Sequence, residues 1–262
     1  MRGSESNSPM TGLDGHHALV TGGGRGIGRA IAAGLAEAGA AVTVMGRNAG
    51  PLTEAVEAGH ARHYFVADAT DRRALGAGLQ QAAAAHGPVD IVIANAGSAE
   101  SAPFAGTDPD MFRRMFELNT MSVVHAAHEV LGGMVMRGFG RIVVVASTAG
   151  LKGYGYVSAY CASKHATIGL VRGLAVETAK TGVTVNAVCP GYSDTDMVRA
   201  SVARITATTG RGEEAVLGAM LKSTPLGRLI RPDEVAAAVV FLCSPAASAI
   251  TGATLTVAGG EI

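Results

Sequence analysis

The amino-acid sequence predicts an α/β protein built on a doubly wound, seven-stranded parallel sheet, and three observations lead there. Short runs rich in β-branched residues recur along the chain, longer alanine-rich stretches separate them, and glycines close most of those stretches. The runs are His17–Thr21, Ala41–Met45, His63–Ala67, Ile91–Ala94, Arg141–Ala146, Thr184–Val188 and Thr254–Val257. They are apolar without strict alternation, the pattern of strands covered by helices on both faces. The predicted crossover helices are Ile27–Ala38, Asp71–His86, Asp110–Arg137, Ser158–Thr181 and Pro232–Leu242. Gly39, Gly87, Gly138 and Gly182 stand where such helices stop.

Composition narrows the function classes. The chain has 262 residues, 48% hydrophobic and 16% charged, which excludes disorder over most of its length. Its 21 basic and 21 acidic residues leave no net charge, so no broad surface for nucleic acid or an anionic membrane is expected. The expected partners are small molecules or further copies of the chain. Cys161, Cys189 and Cys243 are odd in number and form no CxxC pair, so no disulfide framework and no metal site is expected, and a reducing cytoplasm fits best. No stretch reaches the ~18 apolar residues of a membrane span.

Residues 1–15 read as a polar, frayed tail and residues 16–262 as one domain, because no linker divides the remainder. The segment 192–224 is the exception, long and without a clear strand. Connections of that length are commonly functional, and a substrate lid with one or two helices is expected here. Met197, Val198, Ala200, Val202 and Ile205 would give one apolar face, and Val216, Met220 and Leu221 another.

The first strand runs into Thr21-Gly22-Gly23-Gly24-Arg25-Gly26-Ile27-Gly28 and then a helix. Such a turn lets the backbone approach a pyrophosphate, whose charge faces the free N–H groups of the helix N-terminus. Thr21, Gly22, Gly24, Arg25, Gly26, Ile27 and Gly28 are therefore candidate cofactor-binding residues, in a TGxxxGxG spacing rather than the general GxGxxG. Dinucleotide folds usually carry a carboxylate about 20 residues after the glycine turn, for the adenosine ribose. Here Gly46 and Arg47 hold those positions. A guanidinium there can pair with a 2′-phosphate, Arg25 can add a second positive group, and NADP(H) is favoured over NAD(H).

Strand five leads to Ser147, and Tyr160-Cys161-Ala162-Ser163-Lys164 follows on a helix. Tyr160 and Lys164, four residues apart, share one helix face. A phenol titrating near 10 is a poor acid-base at neutral pH, and lowering it by ~3 units takes about 4 kcal/mol of preferential phenolate stabilisation. Lys164 is the expected source. Ser147 would orient the substrate oxygen near the tyrosine hydroxyl.

Taken together, these residues resemble the short-chain dehydrogenase/reductase family in its compact, single-domain, Rossmann-like form, over nearly the whole chain from His17. The elements occur in the family's order: the glycine turn, Asp68, Asn95-Ala96-Gly97, Asn119, Ser147, Tyr160, Lys164 and Pro190-Gly191. The resemblance implies that Asp68 and Ala69 contact adenine, although Asp68 would otherwise read as a helix cap. It places Asn95, Ala96 and Gly97 beside the riboses, and gives Tyr160 and Lys164 a share in holding the cofactor. Pro190, Gly191 and Thr195 would meet its nicotinamide amide, and Asn119 would hold a water linking Lys164 to solvent. The common Asn-Asn-Ala-Gly is here Ala94-Asn95-Ala96-Gly97, which keeps the main asparagine. The implied reaction is hydride transfer between nicotinamide and a carbonyl carbon, with Tyr160 moving the proton. Assembly as a tetramer or dimer through the two long helices is also implied.

Ser98, Ala99, Ser147, Ala149, Leu151, Tyr154, Tyr192, Met197, Val198 and Met220 are the candidate substrate residues, mostly apolar. Pro225-Leu226-Gly227-Arg228, Pro232–Ala236 and Val257–Gly260 look like segments of bacterial 3-oxoacyl-thioester reductases and polyketide ketoreductases. Hydroxysteroid and small-alcohol dehydrogenases share much of this pattern. Carrier-protein reductases often show a basic residue where this chain has Val176, which tilts the expectation toward coenzyme A thioesters or free ketones. From a different class, a non-catalytic NADP(H)-binding regulator would use the same glycine turn but needs no acid-base pair.

Overall fold

The computed structural model describes residues 12–262. Seven parallel strands form one sheet: β1 (His17–Thr21), β2 (Ala41–Gly46), β3 (His63–Val66), β4 (Ile91–Ala94), β5 (Gly140–Val145), β6 (Val183–Pro190) and β7 (Thr254–Val257). Their spatial order is β3-β2-β1-β4-β5-β6-β7. The chain winds outward from β1 in one direction and from β4 in the other, which opens a crevice between the carboxyl ends of these two strands. All seven expected strands are present, with ends shifted by a few residues.

Strand residues alternate between two cores. Ala18 and Val20 face an apolar layer with Ile31, Leu35, Leu52, Val235 and Val239, whereas Leu19 faces one with Leu75, Leu79, Val123, Ile168 and Val171. The first layer is made by α1 (Gly26–Glu37), α2 (Ala49–Glu57) and α9 (Pro232–Cys243). The second is made by α3 (Arg72–His86), α5 (Ser122–Arg137) and α6 (Ser158–Thr178). Burial on both faces accounts for strands that are apolar throughout.

Four expectations need correction. Helix α2 was absent from the sequence reading, because Gly50-Pro51 reads as a loop, yet proline is tolerated in a first helical turn and Leu52 and Ala55 are buried. The single helix expected over Asp110–Arg137 is α4 (Pro109–Phe116) and α5 joined by a π-helical turn, Glu117–Met121. Helix α6 stops at Thr178, short of Thr181. The expected tail lies outside the described residues as far as residue 11, but within its remainder Leu13 is fully buried and its N–H donates to the Ala38 carbonyl. An apolar side chain within reach of the first layer packs there rather than fraying.

The segment expected as a lid holds α7 (Asp196–Thr209) and α8 (Glu213–Leu221), each with a single buried residue, Val202 and Val216. Cys161, Cys189 and Cys243 are buried free thiols. Among the described residues, no helix is long and apolar enough to cross a membrane.

Candidate active site

The glycine turn is held by side chains from the neighbouring strand. Asn95 Nδ2 donates to the carbonyls of Thr21 (3.0 Å) and Gly22 (3.3 Å), while Thr21 Oγ1 accepts from the N–H groups of Asn95 and Ala96, each at 3.0 Å. Gly22 and Gly26 have φ of 65° and 50°, a region that favours glycine. A methyl group at Gly28 would stand 2.2 Å from the Gly22 carbonyl oxygen and 2.5 Å from Asn95 Nδ2. Gly24 turns toward α2, where a Cβ would meet Pro51 at 3.0 Å. Helix α1 begins without a side-chain cap and without an acidic residue in its first turn. The N–H groups of Gly26, Ile27 and Gly28 are left free to face an anion.

Arg47 lies exposed just beyond β2, and Arg25 is exposed at the entry to α1. Asp68 follows β3 and is not a helix cap. It accepts from Thr70 N and Oγ1 at 2.9 and 2.8 Å, while Asp71 caps α3 by accepting from Arg73 N and Ala74 N. The Thr70 bonds, with help from Arg47, hold the Asp68 carboxyl below its usual range. Ala69 beside it is buried.

Across the crevice, Ser147 leaves β5 and starts a short 3-10 turn, Thr148–Gly150. Its Oγ accepts the Ala149 N–H at 3.1 Å, which leaves the hydroxyl proton free for the Tyr160 phenol. Lys164 is buried beneath Tyr160, with Nζ 5.8 Å from the phenol ring centroid and donating to the Val145 carbonyl at 3.0 Å. The turn of helix between them brings both to one place, as their spacing requires.

The π-helical turn explains how Asn119 reaches this place. Its Nδ2 donates to Ser163 Oγ (3.2 Å) and the Ser98 carbonyl (3.1 Å), its Oδ1 accepts the Ser98 N–H (3.2 Å), and its backbone carbonyl accepts from Thr167 Oγ1 (2.9 Å). The widened turn is supported from α6, where the Thr167 hydroxyl bonds the Asn119 backbone carbonyl. Gly97 completes the contact: a Cβ there would meet Asn119 Oδ1 at 2.7 Å and Lys164 Nζ at 3.6 Å. Ser163 and the Val145 carbonyl are supports that the sequence reading missed. Ser163 stands inside the Tyr160–Lys164 segment, where a hydroxyl one position before Lys164 was the available signal.

Electrostatics depart from the expected arrangement. Burial pushes the Tyr160 phenol up to about 12, against a hydrogen bond from Ser147 that lowers it. Burial also brings the Lys164 ammonium down to about 8. Lys164 therefore does not bring Tyr160 below its ordinary value in the polypeptide alone, since desolvation outweighs an amine 5.8 Å from the ring. The phenol keeps its proton at neutral pH, ready to donate it.

At the far side, Pro190 ends β6 and the Gly191 N–H donates to the Val257 carbonyl. Thr195 opens α7 and lies against Gly26, whose added Cβ would be 3.3 Å from Thr195 Cγ2, so the segment 192–224 begins directly over the glycine turn. Among the expected substrate residues, Tyr154 and Tyr192 meet edge to face at 6.2 Å, and Ser98 is tied to Asn119. Ala99, Val198 and Met220 are half-buried and Met197 is exposed. Ala149 is buried with its N–H committed to Ser147, and Leu151 packs on the second core, so these two shape the turn more than an open wall.

A parallel sheet with a glycine turn at its switch point, facing a serine, a tyrosine and a lysine, defines a nucleotide-dependent oxidoreductase. The family model for short chain dehydrogenase matches residues 16–205. A cis-4-hydroxycyclohexanecarboxylate dehydrogenase of Sinomonas cyclohexanicum is 40% identical, over 93% of this chain and 95% of its own. An acetoacetyl-CoA reductase of Shinella zoogloeoides is 37% identical, over 93% and 97%. Among solved structures, a substituted actinorhodin polyketide ketoreductase with NADPH superimposes with a TM-score of 0.89 at 35% identity, covering 94% of this chain and 97% of that one. The chain belongs to the short-chain dehydrogenase/reductase family, and is an oxidoreductase acting on hydroxyl and carbonyl groups.

Proposed function

We propose that the chain is an NADP(H)-dependent reductase that interconverts a ketone and a secondary alcohol, with a 3-oxoacyl or 3-hydroxyacyl thioester, or a similar apolar carbonyl, as its favoured substrate. The observation that carries this reading is the placement of Tyr160 beside Ser147 and over a buried Lys164 on one side of the crevice. Ser147 donates to the substrate oxygen and holds it against the phenol. Tyr160 delivers the proton that completes the alcohol. Lys164, charged below about 8, stabilises the phenolate left behind and also holds the nicotinamide ribose. Asn119, fixed by the π-helical turn, keeps Lys164 in contact with solvent protons. When bound, the cofactor supplies the hydride.

Thr21, Gly22, Gly24, Arg25, Gly26, Ile27 and Gly28 cradle the pyrophosphate. Asp68 and Ala69 meet adenine, and Asn95, Ala96 and Gly97 lie beside the riboses. Pro190, Gly191 and Thr195 take the amide. Arg47, with Arg25, reads the 2′-phosphate, and a carboxylate that would exclude it is missing from the end of β2. The relatives named as an acetoacetyl-CoA reductase and an NADPH-containing ketoreductase support the substrate and cofactor class. Val176 is 80% exposed where a carrier protein's acidic surface would want a cation, which favours coenzyme A thioesters. The residues 192–224 act as the lid of one domain spanning 16–262. The exposed Phe116, Met136 and Val176 on α4, α5 and α6 suit self-association, for which light scattering should return a dimer or tetramer.

The test is NADPH consumption with acetoacetyl-CoA, a simple ketone, a cyclic ketone and a steroid ketone, repeated with NADH. Faster turnover of acetoacetyl-CoA with NADPH supports the reading. Preference for the cyclic ketone would move it toward the alicyclic alcohol dehydrogenase among its relatives. Binding of NADPH without any turnover would replace it with a regulator.

A further inference from the structure

The turn after β7 has no part in the chemistry above. Gly259 and Gly260 follow β7 with φ of 60° and 86°, and a Cβ on Gly259 would stand 2.6 Å from Leu226 Cβ. The Leu226 N–H donates to the Gly259 carbonyl at 3.0 Å. The segment leaving α8 thus rests on this double glycine, and the turn delivers the next side chain, Glu261, inward.

The Glu261 side chain is fully buried and gathers two separate stretches of chain. Its Oε1 lies 2.6 Å from the Tyr154 hydroxyl, 3.0 Å from Ser223 Oγ just beyond α8, and 3.2 Å from Lys152 Nζ. Tyr154 Oη is also 2.7 Å from Thr148 Oγ1, one residue beyond Ser147. A phenol has one proton, and the carboxylate is the stronger acceptor, so Thr148 donates to Tyr154 and Tyr154 donates to Glu261. Glu261 Oε2 has no partner and faces Gly191, where a Cβ would be 3.0 Å away.

The loop so anchored has reason to need it. Gly153 and Gly155 flank Tyr154 with nothing near their Cβ positions, and Tyr156 is the sole non-glycine residue with positive φ (67°) among those described. This loop joins the Ser147 turn to the helix that carries Tyr160.

We propose that Glu261 is a positioning residue: its carboxylate clamps the Tyr154 loop and the exit of the lid together, and so sets the substrate wall beside Ser147. The inference deepens the proposed function and rests on it for the identity of the substrate, but not for the clamp itself. It makes Glu261 a determinant of carbonyl binding rather than of the hydride or proton step.

The full-length Glu261→Ala and Glu261→Gln variants test it, with Ser223→Ala as a milder cut of one arm. In Glu261→Ala, KM for acetoacetyl-CoA should rise ~10-fold while kcat and NADPH affinity stay within ~2-fold, the pattern of lost substrate positioning. Glu261→Gln, which still accepts from Tyr154 and Ser223 but loses the charge facing Lys152, should recover part of that loss. A fall in kcat at unchanged KM, or equal damage in the Gln and Ala variants, would overturn the proposal. Hydrogen exchange supplies a reading that needs no substrate: peptides over 151–157 and 213–224 should exchange faster in Glu261→Ala with β1, β4 and β5 unchanged. Unaltered exchange there would sink the clamp, whereas faster exchange in a protein that ignores acetoacetyl-CoA would sink only the substrate assignment.

Discussion

The two walls of the crevice are built on different terms. On the glycine-turn side, four residues of α1 are buried, Asn95 and Thr21 bind the turn to β4, and Gly28 has no space for even a methyl group. On the other side, α7 and α8 bury one residue each, and the chain leaving α8 is fastened in part by a polar contact between Ser223 and Glu261. The contrast is physical before it is functional. A nucleotide's phosphate-facing part is the same in every turnover and suits a backbone fixed by close packing. A carbonyl substrate must enter and leave, and suits a wall with a low cost of opening.

Breaking the comparison begins with the proton donor between the two walls. Tyr160→Phe should lower turnover by ~10²–10⁴-fold, the range of general acid catalysis, while NADPH binding by fluorescence stays intact. Near-normal turnover would remove Tyr160 from the reaction. On the rigid wall, Gly28→Ala forces a Cβ to 2.2 Å from the Gly22 carbonyl. Overpacking of that kind costs about 1–3 kcal/mol, so NADPH affinity should fall ~5- to 150-fold, and an unchanged dissociation constant would show the turn to be more yielding than described. Arg47→Asp should move the NADPH-to-NADH preference at least ~10-fold toward NADH, the scale of one charge-assisted contact, and an unmoved ratio would place recognition of the 2′-phosphate elsewhere.

The smallest effect is on pH. Lys164 carries its charge below about 8 and loses it above, whereas Tyr160 holds its proton up to about 12. The kcat/KM for reduction should therefore fall as pH rises through about 8, without a second limb from the phenol below that range. A profile flat to high pH would mean that the ammonium charge is not used.

The same contrast governs what the sequence could reveal. The glycine turn was legible because close backbone approach leaves glycine few substitutes, and Tyr160 with Lys164 was legible because helical spacing is local. Helix α2 was hidden by Gly50-Pro51, which by propensity marks a loop. The π-helical turn at Asn119 was hidden because its support, the Thr167 hydroxyl on the Asn119 carbonyl, lies on another helix. The rise of the Tyr160 phenol was missed because sequence shows the nearby amine but not the burial that outweighs it. Glu261 meets Tyr154 across 107 positions of chain, and no local pattern announces such a contact.

The central claim is that hydride leaves a nicotinamide for a carbonyl carbon held beside Ser147 and Tyr160. NADPH deuterated at the transferring position, incubated with enzyme and acetoacetyl-CoA, tests it directly. Deuterium is expected on the carbinol carbon of the 3-hydroxyacyl product, with NADPH consumed in equal amount. Bound NADPH with no label in any alcohol product, across the panel of ketones, would contradict it.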